Sequence, residues 1–252
     1  MARDRDWRTA WVVGASTGIG RDLALILAES GVKTVVTARS REPLEKFAAE
    51  HVNLIAEAGD ATSMDALGAI HRRMCADAGG PDLVVLNAAV WDPMGAGDYA
   101  ASRANASMQV NYGGVCNALE VVMPAMMARK SGHIAIVASV AGYRGLSQAL
   151  AYAPTKAALI NLAEALRLEL EPHGVTVSVI NPGFVDTPMT RRNDFPMPFL
   201  LTSKDAARRI YKGLRRKSFE IAFPWQLVSI LKVARILPYV LYFPLARRVL
   251  RP

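Results

Sequence analysis

A chain of 252 residues with 52% hydrophobic and 21% charged side chains has the composition of a globular protein with a large buried core. Its two cysteines, Cys75 and Cys116, show no metal-ligand spacing, and the charged start MARDRDWRTAWVVGAS lacks the apolar core of an export signal; both fit a reducing, cytoplasmic setting. The net charge of +8 is unevenly placed and makes an anionic partner such as a phosphate or a membrane surface plausible.

Apolar runs bounded by turn residues alternate with helical patterns along most of the chain. TAWVVGA reads as a first strand, and GRDLALILAESG as a helix stopped at Gly31. KTVVTAR is a second strand, and REPLEKFAAEH a helix with Pro43 in its first turn. VNLIAEAGD follows as a weaker third strand. DLVVLNAA, GHIAIVAS and VTVSVINPG are three further β-branched runs, each as long as a buried strand. Helical stretches lie around residues 101–129 and 152–171. Such alternation predicts parallel βαβ units with right-handed crossovers, in one doubly wound, Rossmann-type α/β domain over residues 1–220. Residues 221–252 are expected to form a basic, apolar C-terminal extension.

The first strand runs straight into GASTGIG, residues 14–20, and then into a helix. Gly14, Gly18 and Gly20 allow the unusual dihedrals and close backbone approach that a dinucleotide needs. The helix start offers free N–H groups to a pyrophosphate, so Ser16, Thr17 and Ile19 are expected to border the cofactor. The second strand ends in Arg39 and Ser40, where a chain preferring NAD commonly carries an acid for the ribose hydroxyl. A guanidinium pairs with a 2′-phosphate that a carboxylate repels, so NADP(H) is expected in preference to NAD(H).

Tyr152 stands four residues before Lys156 in AYAPTKAAL, a spacing that puts both side chains on one helical face. With GASTGIG, this YAPTK segment resembles the short-chain dehydrogenase/reductase family in its single-domain branch, over roughly residues 8–220. Ser139 stands 13 residues before Tyr152, at the family's catalytic serine, and Asn111 in VNYGG matches its helix asparagine. GDAT, with Asp60 and Ala61, resembles the adenine-contacting turn. NPGFVDT, with Pro182, Gly183, Val185 and Thr187, resembles the segment that wraps the nicotinamide. The family's Asn-Ala-Gly is here Asn87-Ala88-Ala89, a departure that narrows the cleft floor by one methyl.

The resemblance implies an oxidoreductase that moves a hydride between nicotinamide and a carbonyl or alcohol. Free tyrosine titrates near ~10, and the Lys156 ammonium with the oxidised cofactor is expected to lower that value toward neutral pH. Ser139 would hold the substrate oxygen. By resemblance, Lys156 also grips the nicotinamide ribose, Asn111 supports a proton path through water, and the helices at 101–129 and 152–171 join subunits into a dimer or tetramer. The alternative from another class is a cofactor sensor of the same fold without turnover.

Residues 188–203 should form a substrate cover, made apolar by Met189, Phe195, Met197, Phe199 and Leu200. That suits a hydrophobic, lipid-like ketone or aldehyde; packing against a second subunit explains it as well. Val90 and Trp91 on one side, and Leu146 and Gln148 on the other, complete the expected pocket. No metal site is expected. The basic clusters come with no nucleic-acid-binding motif, so nucleic acid is not expected as a partner.

Beyond Glu220 there is no acidic residue, while Lys232, Arg235, Arg247, Arg248 and Arg251 follow. A helix over 226–237 would gather Leu227, Ile230, Leu231, Ala234 and Leu237 on one face, and Pro238 and Pro244 should break the segment further. Its apolar runs fall well short of the ~20 residues needed to span a bilayer. With Trp225, Tyr239 and Tyr242 as anchors, residues 224–252 read as lying in a membrane surface, or else as packing across a partner subunit or the chain's own cleft.

Overall fold

The computed structural model describes residues 7–193 and 195–249. The chain alternates β1 (Thr9–Val13), α1 (Gly18–Glu29), β2 (Lys33–Thr37), α2 (Arg41–Ala48), β3 (Leu54–Ala56), α3 (Met64–Ala78) and β4 (Leu83–Leu86). It continues through α4 (Ala101–Met108), a π-helical turn (Gln109–Gly113), α5 (Gly114–Ala128), β5 (Gly132–Val137), α6 (Ala153–Leu170) and β6 (Val175–Pro182). The remainder comprises β7 (Val185–Asp186), β8 (Leu201–Thr202), α7 (Ser203–Arg215), β9 (Glu220–Phe223), α8 (Trp225–Ile236) and α9 (Tyr239–Val249).

Seven strands form one sheet in the order β3-β2-β1-β4-β5-β6-β9, every neighbouring pair parallel. Alternation along each strand sorts its side chains into two cores. Trp11, Val13, Val84, Leu86, Ile134 and Ile136 point to the layer that holds α3, α5 and α6, whereas Ala10, Val12, Leu83, Val85, Ala135 and Val137 point to α1, α2 and α7. Both faces are therefore covered, as parallel sheets require. This is the doubly wound, Rossmann-type domain expected. The strand order reverses between β1 and β4, and the crevice at their carboxyl ends is where open sheets of this kind bind ligands.

Three features depart from the expectations. The sequence reading had no helix between β3 and β4. Yet α3 occupies fifteen residues there, capped by Ser63 Oγ accepting from the Ala66 N–H at 3.2 Å and stopped by Gly79 at φ +74°. The boundary expected at residue 220 runs into a strand: β9 pairs with β6 from Val179↔Glu220 to Pro182↔Phe223, so the sheet ends at Phe223. Pro244 does not break the tail but lies inside α9, and Leu237 and Pro238 separate the two terminal helices.

The faces of α8 are also distributed differently. Leu227, Val228 and Leu231 pack on the core, but Ile230, expected on the same face, is exposed. The outward side instead presents Trp225, Val233 and Ile236. Tyr242, expected as a membrane anchor, is buried and donates to the Gly145 carbonyl at 2.5 Å.

Candidate active site

At the carboxyl end of β1 the chain turns at Gly14, whose φ of +90° falls in the left-handed region that side chains avoid. Its N–H donates to Thr37 O at 2.8 Å, and Asn87 Nδ2 donates to its carbonyl at 2.6 Å. The loop is thus pinned between the ends of β2 and β4. A Cβ on Gly20 would sit 2.2 Å from Gly14 O, so glycine there lets α1 start hard against the turn. Thr17, at the N-cap of α1, makes no side-chain cap bond, which leaves first-turn N–H groups free toward the crevice. A nicotinamide dinucleotide fits this cradle: close backbone, an uncapped helix start and a cationic rim.

The crevice encloses about 260 Å³ and is lined by most of the expected residues. Gly14, Ser16, Thr17, Gly18 and Ile19 form one end, with Arg39, Asp60 and Ala61 beside them. Asn87, Ala88, Ala89 and Val90 make the floor; Pro182, Gly183, Val185, Thr187 and Met189 close the far side, and Ser139, Tyr152 and Lys156 stand between. Val13, Thr37, Ala38, Gly59, Val110, Val137, Ala138 and Thr190 also line it, and sequence reasoning missed them. Most are plain core types whose placement depends on which strand ends meet. Thr190 carried a signal only in its distance from Thr187: its hydroxyl donates to Val185 O at 2.5 Å and bonds the Thr187 side chain at 3.2 Å.

Arg39 is exposed at the rim. Asp60 is held below the ordinary carboxylate range by the Thr62 N–H at 2.9 Å, and the Arg39 charge adds to this. Ser40 lies outside the crevice at the N-cap of α2. Gly20 and Asn111 support the site from behind. Asn111 is fully buried in the π turn; it accepts from Val90 N–H at 2.7 Å and donates to Val90 O and Thr155 Oγ1 at 3.0 and 3.1 Å. Its amide therefore clamps the floor to α6.

Tyr152 and Lys156 open α6. The loop after Ser139 presses on that helix, since a Cβ on Gly142 would lie 2.6 Å from the Lys156 carbonyl carbon. Lys156 is 2% exposed, donates to Val137 O at 2.9 Å, and lies 5.4 Å from the Tyr152 ring centroid. Ser139 Oγ accepts from Ala141 N–H at 3.1 Å and donates to Pro182 O at 3.3 Å. Desolvation pushes Tyr152 up to about 12, opposed by its hydrogen bond with Ser139. Desolvation brings Lys156 down to about 7. Burial thus outweighs the Ser139 hydrogen bond at Tyr152; the lowering expected from the sequence belongs to the state with oxidised nicotinamide beside the phenol.

This has a measurable consequence for stability. Between about 7 and the ordinary 10.5 the unfolded chain holds a proton on Lys156 that the folded chain has released. Stability of the cofactor-free protein should therefore rise with pH through that window and carry the full penalty below it. Urea unfolding of wild type and Lys156→Met at a series of pH values checks this: the difference between the two should shrink as pH rises, and a constant difference contradicts it.

Trp91, expected in the substrate pocket, meets the Tyr152 ring edge-on with centroids 4.9 Å apart and donates from Nε1 to Asn193 Oδ1 at 2.9 Å. It joins the tyrosine to the cover. Phe195 packs edge-on against Phe184 at 6.0 Å, outside the crevice lining. Trp91, Leu146 and Gln148 lie outside that lining too, Gln148 turning its amide toward Gly95. No group of three or more potential metal-ligating side chains occurs among the described residues.

The family model described as short chain dehydrogenase matches residues 8–196. An uncharacterized oxidoreductase of Myxococcus xanthus is 40% identical over 250 residues, 98% of this chain and 99% of that one. A solved short-chain dehydrogenase/reductase from Burkholderia phymatum in complex with NAD superposes with a TM-score of 0.83 at 22% identity, covering 90% of this chain and 92% of that one. A short-chain dehydrogenase from Sphingobium yanoikuyae in complex with NADPH gives 0.79 at 24% identity, covering 90% and 93%. The chain is a member of the short-chain dehydrogenase/reductase family, whose members are oxidoreductases that bind a nicotinamide cofactor.

Proposed function

We propose that the protein is an NADP(H)-dependent carbonyl reductase acting on apolar, lipid-like ketones or aldehydes. The observation that carries this reading is the placing of two hydroxyls, Ser139 and Tyr152, over a buried Lys156 in one crevice with the glycine loop. A reduced nicotinamide held by the glycine loop and Lys156 would supply the hydride for the carbonyl carbon. Tyr152 Oη donates its proton to the carbonyl oxygen, completing the alcohol. Burial keeps the phenol protonated at working pH, and nearby positive charge would bring its pKa down toward the range in which a general acid works best. Ser139 Oγ–H stabilises charge developing on the same oxygen. Lys156, when charged, favours the resulting phenolate and offers donors to the cofactor's ribose hydroxyls.

An apolar substrate is supported by Trp91 beside Tyr152 and by Met189 in the lining, with no acid or base at that end except the catalytic pair. Free Cys75 and Cys116 support a cytoplasmic setting. Self-association through α5 and α6 is supported by membership of the family.

Preference for NADP(H) rests on Arg39 at the rim. Arg39→Asp should reverse the sign of charge facing a 2′-phosphate and shift the NADPH-to-NADH ratio of kcat/KM toward NADH by at least about tenfold, the loss of one charge-assisted contact. Steady-state kinetics with both cofactors test it, and an unchanged ratio assigns 2′-phosphate recognition to other residues.

A further inference from the structure

Among the described residues, the largest run of exposed apolar side chains lies on α8 and α9. On α8, Trp225, Val233 and Ile236 share the outward side, with Trp225 71% and Ile236 81% exposed. Their spacing follows helical periodicity opposite Val228 and Leu231, which enter the core. On α9, Val240, Leu241, Phe243 and Leu245 are all exposed, and Tyr242 is buried. A surface this apolar on a monomer marks a contact with something else.

The charges decide which partner. Every charged side chain described on these two helices is basic: Lys232 and Arg235 pair with Glu220 and Glu164 of the body, and Arg247 and Arg248 stand exposed on α9. In a twofold contact between copies the patch would meet itself and bring like charges together. An anionic surface complements it instead. Neither helix can span a bilayer: at 12 and 11 residues they reach about 18 Å and about 16 Å. Short helices with an apolar side, basic residues and exposed aromatic rings such as Trp225 and Phe243 suit the interfacial plane of a membrane.

The helices are also held rigidly to the catalytic frame. Arg144 lies over the rings of Tyr239 and Tyr242, 4.5 and 4.3 Å from their centroids, and donates to the Arg235 and Leu237 carbonyls at 3.3 and 3.1 Å. Lys232 pairs with Glu220, which accepts from Tyr143 at 2.5 Å. Tyr143 and Arg144 belong to the segment joining Ser139 to Tyr152, so a surface bound by α8 and α9 sets the orientation of the crevice. We propose that α8 and α9 dock the protein in the plane of an anionic lipid bilayer through their outward apolar residues and basic side chains.

The full chain is mixed with vesicles of phosphatidylcholine, with or without phosphatidylglycerol, and followed by co-sedimentation and tryptophan emission. Trp7 and Trp11 are buried and Trp91 is half-buried, so a blue shift reports mainly Trp225. Binding to the anionic vesicles only, weakened by salt and accompanied by that shift, is expected. Ile236→Ser with Val240→Ser should lower the bound fraction at least about tenfold, and Arg247→Gln with Arg248→Gln should do so on anionic vesicles. NADPH fluorescence measured in the same samples should be unchanged in both variants, which separates this docking from the reductase reading. Equal binding to both vesicle types, or no binding to either, overturns the proposal. So does light scattering that shows a dimer dissociated by Ile236→Ser in the absence of lipid, which would give the patch to a second copy.

Discussion

Tyr152→Phe should retain the fold and NADPH binding while kcat for ketone reduction falls at least ~10²-fold, the lower range for a positioned general acid. The substitution removes one oxygen. The ring stays against Trp91, 4.9 Å between centroids, and beside Lys156, whose bond to Val137 O is independent of the phenol. Phenylalanine leaves no donor on that ring, and Ser139, engaged with Pro182 O and Ala141 N–H, has an ordinary alcohol's acidity. The loss should fall on kcat more than on KM, because the proton moves only as charge develops on the substrate oxygen. Stopped-flow absorbance of NADPH, with thermal unfolding as a control, measures both parts. Turnover near wild type in a folded variant removes Tyr152 from the chemistry.

Gly14→Ala should lower thermal stability and NADPH affinity together. At φ +90° an L side chain is strained, and strain of this kind costs about 1–3 kcal/mol. Collision adds to it, since the new Cβ would stand 2.4 Å from Ala88 N and 2.6 Å from Ala88 Cα, both backbone atoms at the crevice floor. Relief requires the β1 turn to move away from β4, which breaks the Asn87–Gly14 bond of 2.6 Å and displaces the start of α1. A drop of at least about tenfold in NADPH affinity corresponds to only about 1.4 kcal/mol, well inside that strain. Fluorescence titration beside calorimetry checks it; an alanine variant with wild-type melting and affinity means that the turn does not hold the cofactor.

How much of this was legible in the sequence depended on the range over which each feature is determined. The strand–glycine–helix unit at residues 9–29 and the Tyr152/Lys156 pair are local, set by dihedral demands and one helical turn, and both stand where the spacing put them. The helix α3 escaped because its buried side includes His71, stacked at 6.4 Å on Trp11, and its polar residues blur the apolar period. The strand β9 is only four residues long and gains its strand character from pairing with β6 across some forty residues of chain. The face of α8 was misjudged for a related reason. Both sides of that helix are apolar, and the one that meets the core carries Leu227, close to Gly183, with Val228 and Leu231.

Charge effects were the least legible. The closeness of Tyr152 to Lys156 is legible in their spacing, but their depth within the fold is not, and burial acts on the two groups in opposite directions. The link from Trp91 to Asn193 spans about a hundred residues and left no local trace, although through Trp91 it ties Tyr152 to the segment after β7. The Arg144 clamp on Tyr239 and Tyr242 is equally long in range.

The most direct test of the account is the consumption of NADPH by the purified protein with a series of alkyl ketones of increasing chain length, NADH being run in parallel. The predicted result is oxidation of NADPH faster than of NADH, with kcat/KM rising as the alkyl chain lengthens. Tight NADPH binding without oxidation by any ketone of the series would contradict the proposed reductase and leave a protein that binds its cofactor without turning it over.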